Sequence, residues 1–63
     1  MKNIKKQDFV NFYILPYIIP SDKPFNRQLW NDAGDMCIKN GELSEKRFNQ
    51  WVKTPKKYFG ENS

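Results

Sequence analysis

The clearest pattern in the chain is an apolar stripe whose members recur at three- and four-residue spacing, which predicts one amphipathic helix. The stripe consists of Phe25, Leu29, Trp30, Ala33, Met36 and Cys37. Ser21 or Asp22 is suited to cap the first turn, and Gly41 is typical of a helix end because glycine accepts the left-handed conformation. The pattern therefore predicts a helix over about 22–40. Gly34 lies inside it, which indicates the close approach of another backbone.

A second, shorter helix is predicted after the glycine turn. Ser44 is a good N-cap, and Pro55 sets the end because the residue before a proline avoids the helical region. The inward stripe of this helix is predicted to be Phe48, Trp51 and Val52. A helix over about 45–53, joined to the first by a short turn, gives a helix-turn-helix-like pair.

A third apolar pattern lies near the N-terminus, at helical spacing but rich in residues that also favour strands. Its members are Phe9, Val10, Phe12, Tyr13, Ile14 and Tyr17. A lone strand would have no partner elsewhere in the chain, so we favour a helix. Pro16 removes a backbone donor, and the helix should end or kink near Ile14 or Leu15.

Together the three helices predict an all-α fold, a compact three-helix domain over residues 1–63. Its ends, about 1–6 and 60–63, are expected to fray. A core in a chain of 63 residues is marginal. With no His and a single Cys, a disulfide within the chain is impossible, and neither a metal centre nor a cofactor is expected. The core must therefore be stabilised mainly by burying aromatic side chains, of which the chain has five Phe, three Tyr and two Trp. Cys37 is expected to be part of this core.

The N-terminus imitates a secretory signal, because Lys2, Lys5 and Lys6 precede an apolar run over 9–19. Polar residues interrupt that run, no small-residue cleavage site follows, and the run is too short to span a bilayer. A single unpaired Cys also fits a reducing compartment. We therefore expect a cytoplasmic protein that does not use a membrane.

A basic and amide-rich surface is predicted on the outward face of the last helix and the residues after it. Its members are Lys46, Arg47, Asn49, Gln50, Lys53, Lys56 and Lys57. In a helix-turn-helix module the second helix enters the major groove, where Lys and Arg meet phosphates or guanine and Asn or Gln pairs with adenine. An ordinary solvated helix face has the same composition, and Glu45 at the helix start opposes DNA. Because the net charge of +4 permits contact with phosphates and the face carries Lys, Arg, Asn and Gln, nucleic-acid contact is nevertheless the first hypothesis.

The second hypothesis is a protein partner, because so small a core cannot hide every aromatic side chain and exposed aromatics make strong interface anchors. The candidates are Phe9, Tyr13, Tyr17, Tyr58 and Phe59, although the last two are also expected to fold back on the core. Homodimerisation through the same side chains is a third possibility. Enzymatic activity is not expected, since the chain has no catalytic constellation and can hardly enclose a substrate pocket. Asp32 and Asp35 are read as surface charges.

Two segments, FNRQLWND and KNGELSEKRFNQW, carry a resemblance to a known group of proteins. The matching positions are Arg27, Gln28, Trp30, Asn31, Asp32, Lys39, Asn40, Gly41, Glu42, Leu43, Ser44 and Trp51. In this pattern, which covers about half of the chain, the sequence resembles short uncharacterised proteins of tailed bacteriophages and related mobile elements. The resemblance implies no catalytic residues. It implies a phage-encoded protein acting in the bacterial cytoplasm, where such proteins often bind nucleic acid or a host protein that they inhibit or redirect.

Overall fold

The computed structural model describes residues 3–60, and within that range the regular structure is helical without any strand. The predicted all-α fold is confirmed. Of the ends expected to fray, residues 1–2 and 61–63 lie outside the described residues. Within the described residues, the Ile4 amide donates to the carbonyl of Glu42 at 2.8 Å, so the chain before the first helix is hydrogen-bonded to the glycine turn.

The N-terminal helical segment changes its winding twice. Helix α1 (Lys6–Phe9) continues as a π-helical turn (Val10–Ile14) and ends in a 3-10 turn (Leu15–Tyr17). The end predicted near Ile14 is confirmed, since Pro16 offers no N–H to continue the ladder.

The buried face of this segment differs from the predicted one. Phe9, Val10 and Ile14 are buried, whereas the Phe12 side chain is 66% exposed and Tyr17 is 60% exposed. The physical reason is the π turn, in which hydrogen bonds span five residues instead of four. That wider winding keeps Ile14 beneath Phe9 and turns Phe12 away from the core.

Helix α2 (Lys23–Lys39) has the predicted ends. The Asp22 carboxylate accepts from the Phe25 amide at 3.1 Å, which caps the first turn. At the other end Gly41 has a φ of 77°, and the amide of Glu42 reaches back to the carbonyl of Cys37 at 2.9 Å. That bond closes the helix in a Schellman motif.

Helix α3 (Glu45–Asn49) is shorter than the predicted 45–53. Ser44 caps it as expected, with its hydroxyl accepting from the Arg47 amide at 3.2 Å. The helix then ends because its last turn tightens, and the Trp51 amide donates to the Phe48 carbonyl, three residues back. The predicted inward position of Val52 is therefore wrong, since 52% of its surface is exposed.

The core is a cluster of aromatic rings centred on Phe9. Its ring lies 5.0 Å from that of Trp30, 5.9 Å from Phe48 and 5.5 Å from Trp51, measured between centroids. After a short 3-10 turn (Lys56–Tyr58), Phe59 packs edge-on against Trp30 at 5.6 Å. The expectation that the C-terminal aromatics fold back on the core is confirmed.

Cys37 is buried in the same core, as expected, and is 1% exposed. Its burial raises the pKa of the thiol, and the nearby Glu42 carboxylate raises that pKa further. Because only the thiolate is a good nucleophile, this side chain acts as a small apolar residue.

Gly34 makes room for a ring and not, as predicted, for another backbone. A Cβ atom at this position would overlap the tip of the Phe48 ring. That ring is itself held between neighbours, stacked on Trp30 at 6.0 Å and edge-on to Trp51 at 6.3 Å. Phe48 therefore joins α3 to α2 through the one position on α2 that has no side chain.

Replacing Gly34 with alanine is expected to destabilise the protein, against the usual rule. In an open helix this change stabilises by about 1 kcal/mol, but overpacking a filled site costs about 1–3 kcal/mol. In a Phe48→Leu background the ring tip is absent, so the same change should become neutral or stabilising. The double-mutant cycle consists of the wild type, the two single variants and the double variant. Urea unfolding of these four proteins measures the reversal. Equal effects in both backgrounds would show that the ring does not set the preference for glycine.

Candidate functional site

The net positive charge of the chain is confined to one stretch, which we call the basic segment (residues 46–57). It contains five of the 11 Lys and Arg residues and no Asp or Glu. Residues 1–45 hold six basic and six acidic residues, and Glu61 is the one charged residue after the segment, so the segment supplies the whole excess of positive charge. This asymmetry can be read from the sequence alone. It is more informative than the overall charge, because it assigns the excess of positive charge to one stretch of the chain.

The structure exposes most of the predicted contact residues of this segment. Those on and beside α3 (Lys46, Arg47, Asn49 and Gln50) are exposed, Lys53 is half-buried, and Lys56 and Lys57 are exposed on the C-terminal 3-10 turn. The single ion pair found within residues 3–60 joins Lys39 to Asp35 at 3.4 Å. Among the described residues, no carboxylate therefore neutralises a charge of the basic segment.

Lys57 has a partner of another kind. Its ammonium nitrogen lies 5.1 Å from the centroid of the Tyr58 ring, within the range of a cation–π contact. That contact orients the side chain without removing its charge, so the positive end stays available to an anion.

Asn26 holds the end of the basic segment in place. It is completely buried, and its amide donates to the carbonyls of Tyr58 at 2.7 Å and Ile19 at 2.8 Å, while its oxygen accepts from the Ile19 amide at 3.0 Å. Arg27 adds a bond from its guanidinium to the Phe59 carbonyl at 2.7 Å. Two adjacent residues of α2 thus fix the chain directly after the basic segment.

The sequence reading missed Asn26, although a signal was present. The residue is in helical register with the buried positions Trp30, Ala33 and Cys37. A polar residue on an apolar stripe needs internal hydrogen-bond partners, because a buried amide without them is costly.

A second surface is a depression between the N-terminal helical segment and α2, which we call the apolar groove. It measures about 360 Å³ and is lined by Phe12, Tyr13, Tyr17, Leu29, Asp32, Ala33 and Met36. Within the described part of the chain, no Lys or Arg lines it. The helical spacing predicts core positions for four of these residues, so the sequence does not identify the groove. The four are Phe12, Leu29, Ala33 and Met36.

The five aromatic residues predicted to contact a partner are divided by the structure. Tyr13 and Tyr17 line the apolar groove, and Tyr58 is half-buried beside the basic segment. Phe9 and Phe59 are fully buried in the core, so in this structure they cannot reach a partner. These two belong to the folding of the chain and not to its surface.

Tyr13 connects the groove to the glycine turn. Its hydroxyl donates to the Glu42 carboxylate at 3.1 Å. That bond and the negative charge of Glu42 raise the pKa of the Tyr13 phenol, since both favour the protonated form, and partial burial adds to the effect. The phenol therefore remains a neutral donor at physiological pH.

Within residues 3–60, no three His, Cys, Asp or Glu side chains come together as metal ligands. In the same part of the chain, none of the helices combines the length and the apolar character needed to cross a bilayer. No family model, curated protein or solved structure matches this chain. Among the described residues, the basic segment and the apolar groove are the two surfaces that we consider as candidates for binding a partner.

Proposed function

We propose that this protein is a small, non-enzymatic binding module of phage type that acts in the bacterial cytoplasm and contacts nucleic acid through the basic segment. The observation that carries the proposal is the concentration of five positive charges, none of them paired with a described carboxylate, in residues 46–57. Clusters of Lys and Arg bind nucleic-acid backbones by neutralising phosphates, with release of counterions.

Contact with phosphates is favoured over base reading. Helix α3 has five residues, a length of about 7.5 Å, and recognition helices meet base edges near their N-terminal end. In this chain that end carries Glu45, while Asn49 and Gln50 stand at the opposite end. We therefore propose sequence-independent binding in which Lys and Arg neutralise phosphates.

A salt series with a short DNA duplex tests this proposal. Neutralising up to five phosphates should give a slope of log affinity against log salt of up to about −4.5, by the rule of −0.9 per phosphate. The double variant Lys56→Gln, Lys57→Gln should make that slope shallower by about 1.8, since two phosphate contacts are lost. Fluorescence anisotropy at several salt concentrations measures both slopes.

The matched control is Lys5→Gln with Lys39→Gln, which removes the same charge outside the basic segment and should leave the slope unchanged. Absence of binding at low salt would end the proposal. An equal change of slope in the two double variants would show that overall charge, and not the basic segment, makes the contact.

A second candidate function is an adaptor or inhibitor that binds a protein of the host cell. The observation that favours it is the apolar groove, in which Phe12 and Tyr17 leave most of their surface in solvent. Exposed apolar patches with polar rims often mark protein-binding sites. The two functions use different surfaces of the domain and can operate together.

A further inference from the structure

The walls of the apolar groove come from two elements. Phe12 and Tyr17 stand on the N-terminal helical segment, while Leu29 and Met36 stand on α2. Ala33 lies between the walls and is itself buried, so its small side chain leaves the depression open. Leu29 and Met36 are seven residues apart, which is about 10.5 Å along α2. The same distance separates the first and last anchors of a helix that presents residues i, i+4 and i+7.

The charge of the groove limits the partner. The chain carries a net charge of +4, yet Asp32 is the one charged residue among residues 3–60 that lines the groove. At the Tyr13 side, the phenol is bonded to a second carboxylate, that of Glu42. A positively charged flank on the partner would be attracted to this region, and an acidic flank would be repelled.

The size of the exposed surface argues against a second copy of this chain as the occupant. Phe12 and Tyr17, with Met36 at 46% exposure, offer roughly 300–400 Å² of side-chain surface on this protein's side. A stable protein–protein interface buries about 800 Å² per partner. The groove is better matched to one short helix than to a symmetric dimer.

We infer that the apolar groove binds an amphipathic helix of another protein, with two or three large apolar residues along one face and Lys or Arg beside that face. This inference deepens the second candidate function and is independent of nucleic-acid binding. The anchors enter between Phe12 and Met36, and the basic flank approaches Asp32.

The test is a selection of peptides from a displayed random library, using the intact protein as bait, followed by affinity measurements on the peptides recovered. We expect apolar residues at i, i+4 and i+7 and an excess of Lys and Arg. Phe12→Ser should weaken binding of these peptides about tenfold or more. Val52→Ser is the matched control, because Val52 is similarly exposed but lies outside the groove, and it should leave affinity unchanged.

Asp32→Lys tests the charge preference separately from the apolar contacts. It should lower the affinity for the basic peptides about fivefold at low salt and have less effect at high salt, as expected for an ion pair exposed to solvent. Circular dichroism confirms that each variant is folded, and substitutions at exposed positions such as Phe12 and Asp32 seldom disturb a fold.

The outcomes separate the inference from the function on which it rests. Recovered peptides that depend on Phe12 but lack helical spacing or basic residues would overturn the inference and keep the groove as a protein-binding site. No recovered peptide that depends on Phe12 would overturn both. If the protein formed concentration-dependent dimers and Phe12→Ser abolished them, a second copy would occupy the groove, which also overturns the inference.

Discussion

Replacing Phe59 with alanine is expected to lower the free energy of unfolding by about 3–5 kcal/mol, the range for truncating a buried aromatic residue. The side chain is fully buried and packs edge-on against Trp30, which in turn contacts the ring of Phe9. Phe59 therefore connects the C-terminal end of the chain to the centre of the core. Its loss leaves a cavity that the short segment around it can fill only by detaching.

Phe12→Ala is the matched control for this measurement. It removes an equal side chain from the surface, so its effect should stay within about 0.5 kcal/mol. A chain of this length has a total stability of roughly 3–9 kcal/mol, so the loss expected for Phe59→Ala removes between about a third and all of it. Urea unfolding in the presence of a stabilising osmolyte brings both variants into a measurable range. Similar losses of unfolding free energy for Phe59→Ala and Phe12→Ala would contradict the burial of Phe59 in the core.

Asn26→Asp is expected to cost about 3 kcal/mol or more, although the two side chains have nearly the same shape. An ionised carboxylate has no donor, so the carbonyls of Ile19 and Tyr58 lose their partners and face a negative charge. Each buried group left without its hydrogen bond costs about 1–3 kcal/mol. Thermal unfolding followed by circular dichroism measures the loss.

The control is Asn31→Asp, the same change at an exposed position on the same helix, which should have little effect. A protonated carboxyl regains one donor, so acidification should partly restore the Asn26→Asp protein and leave the control unchanged. If the two variants were equally stable, Asn26 would not be the residue that fixes the chain after the basic segment.

The parts of the fold that follow from the sequence are those set by neighbouring residues. Asp22 and Ser44 cap their helices, Gly41 closes α2, and Pro16 changes the winding of the N-terminal helical segment after Ile14. Each of these signals acts within about four residues, through one hydrogen bond or one restricted dihedral angle. Local chemistry was sufficient for them.

The parts that did not follow depend on contacts distant in sequence. Helix α3 ends early, and beyond it the Trp51 ring packs against Phe9, which lies more than forty positions away. Phe12 points outward because of a π turn for which no residue of the segment is a specific signal. Gly34 was read correctly as a site of close approach, but nothing local indicates that a ring occupies the space.

The same distinction holds for the two surfaces. The basic segment is a continuous run of sequence, so its charge could be read before the structure was known. The apolar groove is assembled from two separate elements, and its residues have the spacing of an ordinary core stripe. The π turn and the relative placement of the helices together separate Phe12 and Met36, which are exposed, from Phe9 and Cys37, which are buried.

We propose that one folded domain carries two separate surfaces, and that nucleic acid contacts only the basic one. Amide chemical shifts followed by NMR during titration with a DNA duplex at low salt test it most directly. We predict changes over residues 46–57 that disappear as salt is raised, with none around Phe12, Tyr17 and Met36. Chemical-shift changes centred on those groove residues, or no changes at low salt, would contradict the proposal that nucleic acid contacts only the basic segment.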